Sequence, residues 1–139
     1  MKKTAFILAA IMVFAVSVSA VNKIRWKEMN WKIYETENFR VFYYEGAELL
    51  AKIAAVYAEE AFFENTRIFN YISKTKIPLF VYENRVDFTS TNITLSSLPE
   101  GAAGFTEAFK NRVVLPGSGS FRSLKELIAH ELAHAIQYN

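Results

Sequence analysis

The stretch NFRVFYYEGAELLAKIAAVYAEEAFF, residues 38–63, changes its period part-way along. At its start Phe39, Val41 and Tyr43 alternate with Arg40 and Phe42, so they share one face of a β-strand. Gly46 ends that run. From residue 47 to about residue 71 the spacing is helical: Leu50, Ile53, Ala54, Tyr57, Ala61 and Phe62 recur at i, i+3, i+4 and i+7. A strand thus feeds a long amphipathic helix, and the rest of the chain is read around that pair.

Upstream, residues 31–34 form a second β-rich run, set off by the polar Glu35, Thr36, Glu37 and Asn38. Downstream, KIPLFVYE (residues 76–83) is another strand, and its Pro78 predicts an edge position or the strand's start. Residues 86–104, rich in Ser, Thr and Asn, read as a loop. Residues 105–109 and 112–115 read as two short strands joined around Lys110-Asn111, and PGSGS (residues 116–120) breaks the chain. A final helix runs from there to near Asn139. Ser123 with Glu126 three residues on is a capping-box pattern; Ser120 is the other candidate N-cap. The predicted class is α+β: a small mixed or antiparallel sheet, a backing helix and a C-terminal helix.

The chain has 139 residues, 52% of them hydrophobic, 22% charged and none cysteine. This suits one globular domain without a linker or repeat, and it excludes disulfide scaffolds, cysteine zinc fingers, iron–sulfur clusters and thiol catalysis. Setting Lys2 and Lys3 aside leaves 14 basic and 14 acidic residues. That balance gives no electrostatic footprint for nucleic acid. Lys2 and Lys3 begin an export signal. An apolar run over residues 5–16 follows, and Val18-Ser19-Ala20 supplies small residues for cleavage after Ala20. Residues 1–20 are thus expected to be a signal peptide and residues 21–139 the mature domain, secreted or periplasmic, with no stable membrane insertion after cleavage. No Cys follows the apolar run, so lipid anchoring is excluded.

The chemistry is concentrated in HELAH, residues 130–134, which holds both histidines of the chain. This is H-E-x-x-H on a predicted helix. Residues i and i+4 differ by ~40° around a helix and ~6 Å along it, so His130 and His134 can converge on one Zn2+ ion. Glu131, turned by ~100°, stands beside the metal and is the candidate catalytic general base. Leu124, Leu127 or Ile128, Leu132 and Ala135 supply the dry face of the helix.

GFTEAFKNRVVLPGSGSFRSLKELIAHELAHAIQYN resembles the zinc-binding region of the peptidase MA-like gluzincins. The opening WKIYETENFRVFYYEGAELLAKIAAVYAEEAFF, with KIPLFVYE after it, is similar to that family's start. The resemblance implies a zincin-like upper subdomain in which the helix over residues 47–71 backs a sheet and the helix from about Ser123 carries the site. It implies His130 and His134 as zinc ligands, Glu131 as catalytic base, and peptides or proteins as substrates. It also implies a downstream repeat or β-propeller domain in a longer gene product.

The family takes its third ligand, a Glu, from a helix beyond HExxH, and residues 135–139 contain none. Glu126 shares the histidines' face, but i, i+4 and i+8 span ~12 Å of helix, too far to meet at one ion. HExxHxxGxxH is excluded, because position 137 is Gln. Glu107 remains as a ligand on a strand, with nothing in the spacing to recommend it. The expectation is therefore an exported metallopeptidase domain lacking its third ligand, read as a C-terminally truncated chain; the alternative is a non-catalytic exported binding module that keeps the zincin fold. Residues 105–107 or 112–115 are expected to offer an edge strand to a peptide or to form a core hairpin. Tyr138, near the metal face, is assigned to packing, and Trp26 and Trp31 to core or interface anchoring. Ser96, Ser118 and Ser120 lack the GxSxG context of a serine hydrolase.

Overall fold

In the computed structural model, which describes residues 28–72, 75–90, 103–117 and 119–138, five strands form one sheet in the order β1-β2-β3-β5-β4. They are β1 (Lys32–Glu35), β2 (Phe39–Tyr43), β3 (Ile77–Tyr82), β4 (Phe105–Glu107) and β5 (Arg112–Pro116). The helices are α1 (Glu48–Phe69), α2 (Arg85–Thr89) and α3 (Phe121–Gln137). The α+β class holds, and the sheet is mixed. Both outer pairs, β1 with β2 and β4 with β5, are antiparallel hairpins. The inner pairs, β2 with β3 and β3 with β5, are parallel. Parallel neighbours need a crossover, and α1 supplies it between β2 and β3. Residues 1–20 and Trp26, Ser96 and Ser118 lie outside the described residues.

One face of the sheet carries both long helices. Phe39, Val41, Ile77, Leu79, Val81, Val113 and Leu115 point into it and are fully buried. Against them α1 sets Ala51, Ala54, Ala55, Ala58, Ala61 and Phe62. Of the six residues read from the helical spacing, Ala54, Ala61 and Phe62 are buried, while Leu50, Ile53 and Tyr57 are half-buried at the margin. The small alanine stripe wins because it lets the helix axis approach a sheet already filled by Phe, Leu, Ile and Val. From α3 come Leu124, Ile128, Leu132, Ala135 and Ile136. Leu127 packs at the edge.

A second cluster covers the opposite face: Met29, Tyr44, Tyr82, Phe88 and Val114, with Trp31, Phe80 and Phe105 packed against it. The Trp31 ring meets Tyr44, Phe80 and Tyr82 edge-on, with centroids 5.3–5.4 Å away. Trp31 is thus a core anchor, as expected. Phe88 belongs to α2, which corrects the reading of residues 86–104 as all loop. Asn84 caps α2 by accepting the Asp87 N–H at 2.9 Å, and that turn places Phe88 under the sheet. The Tyr44 hydroxyl donates to Asp87 at 2.6 Å and accepts the Glu83 N–H at 2.9 Å. Burial, then the hydrogen bond to Asp87, pushes its pKa well above the ordinary tyrosine value.

Beside this cluster a rib of side chains crosses all five strands. Glu35 of β1 pairs with Arg40 of β2 at 3.4 Å, and Arg40 lies over the Phe42 ring. Phe42 stacks on Phe80 of β3 at 4.4 Å and 3°. Arg112 of β5 covers the other side of Phe80 and pairs with Glu107 of β4. Each contact is a cross-strand or cation–π pair of modest worth, but together they tie both edges of the sheet to its centre.

Two further readings are corrected. Pro78 is the second residue of β3, and β3 is the central strand, so the strand's-start alternative holds and the edge alternative does not. The N-cap of α3 is Ser120, whose hydroxyl accepts the Ser123 N–H at 3.2 Å, rather than Ser123. Ser123 lies within the first turn and exchanges a hydrogen bond with the Ser120 hydroxyl at 3.1 Å. Among the described residues no helix is long and apolar enough to cross a membrane.

Candidate metal centre

Three features fix α3 in place: the Ser120 cap at its start, the apolar stripe from Leu124 to Ile136, and its contact with α1. Along α1–α3, Lys125 pairs with Glu60 at 2.7 Å and the Asn65 amide donates to the Ala129 carbonyl at 3.3 Å. With Leu132 and Ala135 turned into the core, the helix presents His130 to solvent and His134 half-exposed beside it. Their Nε2 atoms stand 3.2 Å apart, with ring planes at 89°. Two nitrogens each ~2.05 Å from one tetrahedral ion lie ~3.3 Å apart. The observed separation is close to that of two nitrogens sharing one ion. The two nitrogens are also within hydrogen-bond distance, the donor being whichever Nε2 carries the proton. Tyr138 stacks on His134 at 6.1 Å and 19° while remaining exposed, so it packs on the histidine and not in the core.

Glu131 is the one buried charged residue among the described residues, 7% exposed. The Thr106 hydroxyl of β4 lies 2.8 Å from Glu131 Oε2 and 2.9 Å from the Glu131 carbonyl oxygen. A hydroxyl has one proton, so it serves one of these two acceptors at a time. Either way Thr106 fixes the carboxylate against the edge of the sheet next to the histidines. Sequence reasoning had no signal for Thr106: a threonine in a short strand carries no motif, and its role follows only from β4 lying beside α3.

Glu107, the candidate third ligand from the sheet, is taken up by Arg112 and by Lys110 at 3.5 Å. Among the described residues no group of three His, Cys, Asp or Glu is placed to hold a metal. Among those residues His130 and His134 therefore stand as a pair of ring nitrogens with no third such group beside them. Comparison with protein-family models, with curated proteins and with solved structures found no match for this chain.

Proposed function

We propose that this chain carries the zinc site of an exported, gluzincin-type metallopeptidase with a zincin-like fold, hydrolysing peptide bonds. The observation that supports it most is the convergence of the His130 and His134 nitrogens at 3.2 Å beside a buried glutamate. His130 and His134 would hold the ion, with a third ligand from outside the described residues. When bound, zinc acts as a Lewis acid and makes its water acidic enough to be deprotonated near neutral pH. With Thr106 on Oε2, Glu131 Oε1 is the oxygen that accepts the proton of the attacking water and returns it to the leaving amine. Beyond β4 no further strand pairs with this side of the sheet among the described residues. An extended peptide added along β4 would run past Thr106 and bring its carbonyl toward the histidines. The signal-peptide reading of residues 1–20 places this activity outside the cytoplasm.

The test, made on protein that also supplies the third ligand, compares hydrolysis of a fluorogenic peptide library with zinc content measured by mass spectrometry. Glu131→Gln should keep the metal and abolish turnover, because an amide cannot take the proton; His134→Ala should lose both. Full turnover by Glu131→Gln would remove Glu131 from its role. The two-ligand half-site favours a second reading, a binding module that keeps the fold without catalysis. Stoichiometric zinc with no turnover of any peptide would select it.

A further inference from the structure

The outer side of α1 carries a pattern that the core does not explain and that is independent of the metallopeptidase reading. Leu49, Val56 and Phe63 lie seven residues apart on the side opposite the alanine stripe, 69%, 56% and 72% exposed. On one flank of this stripe Glu59 turns to Asn38; on the other Lys125 reaches Glu60 and the Tyr57 ring. Between those flanks the stripe is exposed, with no contact across it among the described residues.

Read outward from Val56, the stripe has apolar residues at equal distances and opposite charges at the nearest charged pair on it; farther out at its margins Glu48 and Glu64 are both acidic, and Glu48 is paired with Lys32. Seven residues away on either side stand Leu49 and Phe63, and four residues away stand Lys52 and Glu60, both exposed. We infer that a second copy of this chain docks here, its α1 antiparallel to the first about a two-fold axis through Val56. In that arrangement Leu49 meets the partner's Phe63 and Lys52 meets the partner's Glu60, twice over, as a two-fold interface requires. Glu60 then sits between Lys125 of its own chain and Lys52 of the second copy. A parallel pairing instead sets Lys52 against Lys52 and Glu60 against Glu60. One helix pair buries less than the ~1,200 Å² of a stable interface, so the association is weak and concentration-dependent.

The chain has no cysteine, so single thiols report the geometry directly. Val56→Cys should oxidise to a covalent dimer, since the axis brings the two Cα atoms within the ~7 Å a disulfide spans. Leu49→Cys and Phe63→Cys should each fail to cross-link alone, their own copies lying ~20 Å apart along the helix, yet cross-link when mixed. Lys52→Glu should weaken self-association in sedimentation roughly tenfold. A monomer at every concentration with no Val56→Cys dimer overturns the proposal, whether the stripe is then bare or covered by another protein. Self-linking of Leu49→Cys with no gain on mixing overturns it in favour of the parallel arrangement.

Discussion

Gly117 sits where β5 hands the chain to α3, and replacing it with alanine tests how the helix that bears the histidines is aimed. Its N–H donates to the Tyr82 carbonyl at 2.6 Å, which closes the corner onto the end of β3. A Cβ added here would lie 2.0 Å from the Glu83 carbonyl oxygen, 2.6 Å from its carbon and 2.7 Å from Leu50 Cδ2. Two of these neighbours are backbone, and a carbon needs ~3.2 Å from a carbonyl oxygen, so the corner must open by about 1 Å. The strain is at the upper end of overpacking, about 3 kcal/mol. With a urea dependence of about 1.5 kcal/mol/M for a domain of this size, the midpoint should fall by roughly 2 M. Gly119→Ala is the control: its Cβ meets nothing nearer than Ser123 at 3.6 Å, but φ is +76°, so only the left-handed penalty of about 1 kcal/mol applies. Equilibrium urea unfolding measures both. Equal midpoints for the two variants, or a Gly117→Ala midpoint within ~0.5 M of wild type, would refute the argument that close backbone approach governs this corner.

Ser120→Ala should cost about 1 kcal/mol through loss of the α3 cap, and Ser123→Ala clearly less, in thermal unfolding. Acid stability should depend on Glu59. Burial opposes its ionisation, but donors from Asn38, Thr36 and Glu37 outweigh it and hold its pKa below the ordinary glutamate value. A depressed folded-state value gives stability above that pH that is lost as pH falls through the folded pKa. Glu59→Gln should therefore be less stable at neutral pH and lose less on acidification; identical pH profiles would discount the contact. Zinc held by the described half-site alone should be weak in chelator competition, and His130→Ala should abolish it; tight binding that survives His130→Ala would place the metal elsewhere.

Alternation made β2 legible, since Phe39 and Val41 face the helices; β3 and β5, apolar on both faces, were legible as short β-rich runs bounded by turn signals. On α1 the spacing found the right side of the helix but not its centre: close approach to the sheet selected the alanines and left Leu50, Ile53 and Tyr57 at the margin. The sheet's topology was beyond local reading. Whether Pro78 lies at an edge depends on β5 returning to pair with β3, a contact remote in sequence. α2 escaped notice because five residues give no period; Asn84 with Asp87 three residues on was its available cap signal. At the candidate site, HELAH was visible from helical spacing alone, since i and i+4 fix the two imidazoles relative to each other. Thr106 was not, because its contact with Glu131 is created by tertiary packing of β4 on α3. Glu107 is drawn away from the histidines by ion pairs with Arg112 and Lys110, partners that become close only when the hairpin forms.

The strand order also sets an order of assembly. β1–β2 and β4–β5 are hairpins whose partners are near in sequence, so each closes a short loop and can form early. β3 has no local partner: both its neighbours are parallel and reached across long intervening segments. It is the keystone, inserted between two prefabricated hairpins, and only its arrival lets Phe80 enter the stack between Phe42 and Arg112. Pulse-labelled amides of β3 should gain protection last, in the same step that brings Phe42 and Arg112 onto opposite sides of one ring.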